Sequence, residues 1–213
     1  MNEFRNWHND VLGAKVVEAL QKNNFSATYV KNRQEAADQI LAMVPAEAVV
    51  GMGGSWTMGE IGIEGLLEKR GHRILNHNKP GLTPEEVAAC RQQQLTCDVF
   101  LSGTNAVTVD GQLVNVDGVG NRVAAMIYGP KKVIIAVGAN KLVSDCEAAV
   151  RRIEMIAAPI NNKRLNRPNP CVVAGECMNC QGPTRICNVT TIMHKKPALT
   201  DIHVLIIGEE LGF

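Results

Sequence analysis

The feature that most constrains the fold is an alternation between short apolar runs and longer stretches with helical periodicity. Strands that alternate with helices in this way are typical of a largely parallel sheet covered by helices. We therefore predict one α/β domain over residues 1–213, with a mostly parallel sheet flanked by helices. The predicted strands are Ala48–Gly51, Arg73–Leu75, Asp98–Leu101, Lys132–Val137 and Asp201–Gly208.

Helix signals fill the segments between these strands. One helix opens at Thr83, where Thr83 is the N-cap, Pro84 takes the first helical position and Glu86 completes a capping box. Beyond Pro159 the composition shifts to Asn, Pro, Arg, Cys and Gly, and we interpret the short basic run Asn161–Arg167 as a solvated loop. The other predicted helices are Asn2–Gln21, Arg33–Met43, Met58–Lys69, Asn121–Tyr128 and Ser144–Ala158.

A β-hairpin interrupts the alternation in the middle of the chain. Two β-branched runs, Ala106–Val109 and Gln112–Val116, are joined at Asp110-Gly111. Asp-Gly between two such runs favours a two-residue type I′ turn, because glycine and aspartate tolerate the positive φ that this turn requires.

Charge and hydropathy exclude several classes of protein. A formal net charge of +1 argues against an electrostatic footprint for nucleic acid. No apolar run approaches the ~20 residues of a membrane helix, and the first ten residues lack the apolar region of a secretory signal. We therefore expect a cytoplasmic protein, in which the seven cysteines are thiols or ligands rather than disulfides.

Four cysteines lie close together between the last long helix and the final strand. A Cys-x2-Cys pair directs two sulfurs to one side of a turn, and Gly175, Gly182 and Pro183 keep the backbone irregular enough for more sulfurs to converge. Four thiolates can close a tetrahedral zinc site or hold an iron–sulfur cluster, most simply [4Fe-4S]. We predict that the metal ligands are Cys171, Cys177, Cys180 and Cys187.

The spacing does not decide between the two groups, because it matches neither a double Cys-x2-Cys zinc ribbon nor the tighter ferredoxin run. Free thiols buried as small apolar side chains are the alternative. Arg185 and Lys195 could lower the pKa of the thiols or compensate cluster charge. His194 is either a substitute ligand or an ordinary surface residue.

Three glycine-containing turns point to a ligand crevice. Gly51–Glu60 follows a strand and opens a helix, Leu101–Ala106 follows another strand, and Val116–Arg122 leads into a helix. Turns at the carboxyl ends of parallel strands gather at one edge of a sheet, where ligands bind. We predict a small-anion site lined by Gly53, Gly54, Ser55, Thr57, Thr104, Asn105, Asp117, Gly118, Asn121 and Arg122.

Each of these signals has a plainer interpretation. The first turn lacks the third glycine of a dinucleotide fingerprint and the lysine of a P-loop, and Ser55 or Thr57 could simply cap a helix. Glu60 is a candidate catalytic acid or base, or part of a solvated helix face. Asp117 could be a turn residue that pairs with Arg122.

Several segments, in this order, resemble the lactate-utilisation (LUD) domain family. They are Ala36–Ile40, Gly51–Gly62, Thr104–Asp117, Gly118–Ala125 and Gly129–Pro130. Three further segments resemble a short cysteine-bearing branch of the family: Gly175–Asn188, His194–Asp201 and Gly208–Gly212. The resemblance implies a NagB/RpiA/CoA-transferase-like fold with a Rossmann-like parallel sheet. It also implies a part in oxidising lactate to pyruvate, in complexes that include iron–sulfur subunits.

Two functions follow as hypotheses. The first is an iron–sulfur or metal-binding accessory subunit in the oxidation of lactate or a similar small hydroxy acid, with other redox subunits as partners. The second is an isomerase or CoA-transferase-like enzyme, or a small-anion binding protein, in which the cysteines hold structural zinc. Neither requires nucleic acid or a membrane span, and both leave catalysis by this chain and a homo-oligomer open. The chain has no flavin-binding fingerprint.

Overall fold

The computed structural model describes residues 3–213, and its main sheet contains six parallel strands. These strands are β1 (Ser26–Val30), β2 (Val50–Met52), β3 (Ile74–Leu75), β4 (Val99–Gly103), β7 (Lys132–Gly138) and β10 (Asp201–Ile207), in the spatial order β1-β10-β7-β4-β2-β3. The central strand β7 pairs in parallel with both β10 and β4. The predicted α/β class with a mostly parallel sheet is confirmed.

Helices cover both faces of the main sheet. One face carries α1 (Glu3–Lys22), α5 (Pro84–Gln94) and α6 (Asn121–Ile127), and the other carries α2 (Arg33–Met43), α3 (Trp56–Ile61) and α4 (Ile63–Lys69). Successive residues of β7 pack against opposite helix layers. Ile134 lies in the hydrophobic cluster with α2 to α4, and Ile135 lies in the cluster with α1 and α6. This is the pattern of a strand buried on both faces.

A second, four-stranded sheet was not predicted beyond its hairpin. It contains β5 (Ala106–Thr108), β6 (Leu113–Asp117), β8 (Leu142–Val143) and β9 (Val189–Met193), in the order β8-β5-β6-β9. One face packs on the main-sheet core through Val107 and Leu113. The other packs on α7 (Cys146–Arg152), where Ala149 lies against Val114. Because β6 pairs with β9, the residues that directly follow the cysteine segment lie beside β6, which precedes the segment in the chain.

Local capping agrees with the sequence in two helices. α2 has the predicted bounds and its N-cap is Asn32, whose side chain accepts a hydrogen bond from Glu35 N. α5 begins with the predicted capping box, in which Thr83 and Glu86 exchange side-chain-to-backbone hydrogen bonds. The predicted first residue of the N-terminal helix, Asn2, lies outside the described residues.

Two predicted helices differ from the structure by more than one residue at an end. The helix predicted over Met58–Lys69 is divided into α3 and α4 at Gly62, whose φ of 73° is left-handed and ends the first helix. The helix predicted over Ser144–Ala158 instead runs through α7, a π-helical turn at Ile153–Ala157 and α8 (Ala158–Arg164). Pro159 does not stop it, because proline fits the first turn of the segment that follows.

The hairpin forms as predicted, but its turn is not type I′. Gly111 has a φ of 82°, whereas Asp110 is not among the residues with positive φ. Gly111 N donates to Thr108 O at 2.9 Å, and Thr108 N donates to Gln112 O at 3.0 Å. The connection is therefore a tight turn followed by a left-handed glycine, as in type I turns with a glycine bulge.

Within residues 3–213 no helix combines the length and apolarity needed to cross a bilayer.

Candidate functional site

A cavity of about 270 Å3 lies at the carboxyl ends of β2 and β4, and we call it the basic crevice. Nearly all residues predicted from the glycine turns line it: Gly53, Gly54, Ser55, Thr104, Asn105, Asp117, Gly118, Asn121 and Arg122. Thr57 is the exception, since it is buried behind the wall. The turns after β2 and β4 therefore meet as the parallel-sheet rule requires, whereas the third turn follows β6, an antiparallel strand of the second sheet.

The turn after β2 is held by its own hydrogen bonds. Gly53 N donates to Leu101 O at 2.8 Å, and Ser55 Oγ accepts from Met58 N at 3.3 Å, which makes Ser55 the N-cap of α3. A Cβ at Gly103 would lie 2.7 Å from Ser55 Oγ, so the turns after β2 and β4 can approach only because glycine is present. The plainer interpretation of Ser55 as a cap is confirmed.

Arg122 braces the opposite wall. Its Nε donates to Asp117 Oδ2 at 3.2 Å, and its terminal nitrogens donate to Asn115 Oδ1 at 2.7 Å and Val116 O at 2.8 Å. Asp117 Oδ1 in turn accepts from the backbone of Gly120 at 2.8 Å. Burial lowers the pKa of Arg122, and Asp117 opposes that shift. Both side chains are thus engaged in fixing the turns.

Lys141 was not predicted, and it is the buried cation of the crevice. It ends the 3-10 turn that follows β7, only 4% of its surface is exposed, and it lines the cavity. Its Nζ donates to Thr57 Oγ1 at 2.8 Å, and Thr57 Oγ1 donates to Leu211 O at 3.3 Å. Within residues 3–213 no carboxylate forms an ion pair with Lys141, so two of its three donor positions lack a partner.

The pKa of Lys141 is lowered to about 7, first by burial and then by the nearby guanidinium groups of Arg152 and Arg122, while Glu60 opposes the shift. A buried ammonium without a counter-ion is unfavourable, and the group responds either by losing its proton or by binding an anion.

A second cation of the crevice also lacks an acceptor. Arg91 lines the cavity, its Nε is buried without a hydrogen-bond partner, and none of its nitrogens bonds to any residue in the described range. The neighbouring His77 has a lowered pKa, caused first by burial and then by Arg91. Among the described side chains of the lining the one carboxylate is that of Asp117, and it is already paired with Arg122. The crevice therefore holds uncompensated positive charge, which suits an anion.

The rim of the basic crevice includes residues near the C-terminal end of the described chain. The guanidinium carbon of Arg164 lies 5.9 Å from the centre of the Trp56 ring and 6.0 Å from that of Phe213. Arg167 lines the crevice as well. The prediction of a solvated loop for Asn161–Arg167 is confirmed for the exposure of residues 163–167 but is wrong for the conformation, because α8 extends to Arg164 and carries the basic run to the crevice.

Glu60, the candidate acid or base, lies outside the lining. Its Oε2 accepts from Gly212 N at 2.6 Å and its Oε1 accepts from Trp56 Nε1 at 3.1 Å. The carboxylate thus attaches the last residues to α3. A catalytic role for Glu60 stays a prediction.

The cysteine segment forms part of the crevice wall. After the short helix α9 (Cys171–Ala174) the chain is irregular up to β9, and Ile186 lines the cavity. Ile186 packs against Gly118, where an added Cβ would lie 3.2 Å from its Cα. Asn188 N donates to Asp117 O at 3.0 Å, and its side chain donates to Gly118 O at 3.0 Å. The segment and the predicted anion site therefore share one turn.

The four predicted ligands lie near one another but do not converge. All seven cysteines, each within the described range, are free thiols, and Cys171 is buried. Burial raises the pKa of Cys171 and Cys187, and the other thiols of the segment raise both further. Across residues 3–213 no three His, Cys, Asp or Glu side chains form a group that could hold a metal ion. Four thiolates are suitable donors for zinc or an iron–sulfur cluster. The four sulfur atoms would have to move closer together to bind either group.

The charged residues near the cysteines have separate roles. Arg185 donates from Nε to Cys187 O at 2.9 Å and from Nη1 to Asn179 Oδ1 at 3.0 Å, and its charge lowers the pKa of Cys187. His194 Nδ1 lies 2.6 Å from Gln112 Oε1, on the exposed end of β9. Arg185 therefore organises the segment, while His194 binds to the hairpin.

Lys141 could have been found by the rule that located the other turns. The strand predicted at Lys132–Val137 is followed after a few residues by Lys141, just as β2 is followed by Gly53. No comparable signal marks Arg91, which is one basic residue on a helix, and Arg164 belongs to the basic run interpreted as a loop; only the packing brings either residue to the cavity.

Comparison with known proteins agrees with this architecture. The LUD domain family matches residues 13–207. A crystal structure of a DUF162 family protein from Deinococcus radiodurans is similar over 93% of this chain and 98% of that chain, with a TM-score of 0.54 and 14% sequence identity, which supports the fold. No curated protein matches this chain. Because the family match spans nearly all of the sequence, the chain belongs to the LUD domain family.

Proposed function

We propose that the basic crevice binds the carboxylate of a small hydroxy acid or oxo acid, and that the protein serves the oxidation of lactate or a similar hydroxy acid. The observation that carries the proposal is Lys141, a buried cation at the crevice without a carboxylate partner in the described range. A bound carboxylate would supply both the missing counter-charge and the missing acceptors.

The size and polarity of the crevice support a small acid. A volume of about 270 Å3 corresponds to roughly nine water molecules at ~30 Å3 each, which is room for a short organic acid. Arg91 adds a second donor without an acceptor. Membership of the LUD domain family favours lactate and pyruvate among such acids.

Calorimetric titration with L-lactate and pyruvate tests this proposal. We expect both to bind, and we expect Arg91→Met to weaken binding about tenfold, or ~1.4 kcal/mol, because it removes one buried donor. This variant breaks no hydrogen bond within residues 3–213, so folding should be unaffected. Arg151→Met is the matched control, since Arg151 is exposed and pairs with Glu147 away from the crevice.

Two outcomes would contradict the proposal. Equal affinity in wild type and Arg91→Met would place the acid elsewhere. Binding of inorganic phosphate without binding of either acid would favour the isomerase or CoA-transferase-like alternative with a phosphorylated ligand.

We further propose that Cys171, Cys177, Cys180 and Cys187 hold a metal ion or an iron–sulfur cluster. Support comes from the mutual effect of the thiols on the pKa of Cys171 and Cys187 and from the thiolate donor set itself. Iron–sulfur would supply one-electron transfer for an oxidation, whereas zinc would stabilise the loop.

Anaerobic purification with metal and sulfide analysis distinguishes these groups. We expect a stoichiometric metal in the wild type and its loss in the Cys177→Ser/Cys180→Ser double variant. Cys90→Ser is the control, because Cys90 lies on α5, outside the segment. Metal retained by the double variant would refute the ligand assignment, and zinc without iron would remove the redox role.

A further inference from the structure

We propose that Lys141 is a nucleophile that forms an imine with the carbonyl carbon of a 2-oxo acid bound in the basic crevice. The inference rests on the proposed function, because it requires that an oxo acid occupies this crevice. It adds a covalent step to a site that otherwise only binds an anion.

The position of Lys141 suits this step. Lys141 lines the crevice, and its Nζ makes one hydrogen bond, to Thr57 Oγ1 at 2.8 Å. Because Thr57 Oγ1 donates its own hydrogen to Leu211 O, it accepts a hydrogen from the amine and leaves the nitrogen lone pair of the neutral form free. With 4% of the residue exposed, the amine is shielded from bulk water.

The surroundings of Lys141 keep a neutral amine accessible near neutral pH. Burial and the positive charges of Arg152 on α7 and Arg122 on α6 act in one direction, and Glu60 on α3 acts in the other. The resulting pKa of about 7 leaves about half of the amine neutral at that pH. An ordinary lysine, with a pKa of ~10.4, is almost wholly protonated there.

The step balances without an oxidant. The lone pair of Nζ attacks C2 of the oxo acid, the C=O π bond breaks, and one amine proton moves to the oxygen to give a carbinolamine. The hydroxyl then leaves with the second amine proton as water, and a C=N bond remains. The acid's carboxylate would lie between Arg91 and Lys141, as in the proposed function, and the C2 atom bonded to it would then face the Lys141 amine.

Reductive trapping tests the proposal on the full-length protein. Incubation with pyruvate and sodium borohydride should add one reduced pyruvate to the protein, and peptide mapping should place it on Lys141. Lys141→Arg keeps the positive charge but should give no adduct at that peptide. Lys132→Arg is the control, because Lys132 forms an ion pair with Asp201 outside the crevice. L-lactate, which has no carbonyl group, should give no adduct.

The outcomes separate this inference from the proposed function. Pyruvate that binds in the Arg91-dependent manner without a borohydride-stable adduct would overturn the imine and leave carboxylate binding intact. Absence of binding would overturn both. Adducts spread over surface lysines, or an adduct unchanged in Lys132→Arg and Lys141→Arg alike, would overturn the assignment to Lys141.

Discussion

Replacing Lys141 with methionine is expected to stabilise the ligand-free protein, by about 2–4 kcal/mol near pH 7. Methionine fills a similar volume without a charge, and it removes a buried ammonium that has no counter-ion in the described range. The same variant should lose the binding of L-lactate. A gain in stability that accompanies a loss of binding is the pattern of a residue retained for function.

The gain should depend on pH in a defined direction. The pKa of Lys141 is about 7 in the folded protein and ~10.4 in the unfolded chain, so between these values only the unfolded chain holds the proton. Wild-type stability therefore rises with pH across this window relative to Lys141→Met. The advantage of the variant is greatest below about pH 7 and disappears above about pH 10.4.

Urea unfolding of both proteins at several pH values measures this dependence. Lys79→Met is the control, since Lys79 is an exposed residue paired with Glu68, and its effect should stay under ~1 kcal/mol. A lower stability of Lys141→Met below pH 7 would mean that the ammonium already has a stabilising anion.

Replacing Arg122 with methionine is expected to destabilise the protein by about 3–5 kcal/mol. The substitution leaves Asp117, with 8% of its surface exposed, without its counter-ion, and it removes the donors to Asn115 and Val116. For a chain of this length the loss corresponds to a fall in Tm of about 10 °C.

A thermal melt measures this effect. Arg122→Lys should recover only part of the loss, because one ammonium cannot reach the several acceptors that the guanidinium reaches. Arg151→Met, which removes an exposed pair within one helix, should shift Tm little. A fall in Tm for Arg122→Met as small as that of the control would show that the hydrogen bonds and ion pair of Arg122 do not stabilise the turns.

The sequence predicted the crevice well wherever a turn directly follows a strand. Gly53 and Thr104 follow apolar runs that form parallel strands, and the parallel-sheet rule then places them together, whereas Asp117 reaches the crevice at the end of the antiparallel strand β6. Arg164 could not be found in this way, because its position depends on a helix that continues past Pro159 through a π-helical turn. Such continuation depends on packing against the second sheet rather than on local signals.

The second sheet was missed for a related reason. β9 has a mostly exposed pattern, and only its pairing with β6 identifies it as a strand. That pairing decides where the cysteine segment lies, because it brings Ile186 and Asn188 onto the turn at Gly118. The metal ligands predicted in this segment and the predicted anion site are therefore neighbours through a shared turn, although they are separate in the sequence.

The central claim, that Lys141 receives a carboxylate, is tested most directly by the protons taken up when L-lactate binds at about pH 8. Titration in two buffers of different ionisation enthalpy gives this number. At that pH most of Lys141 is neutral, and a bound carboxylate would raise its pKa, so uptake should approach one proton in the wild type. Binding of L-lactate without proton uptake, or with the same uptake in Lys141→Met, would contradict the claim.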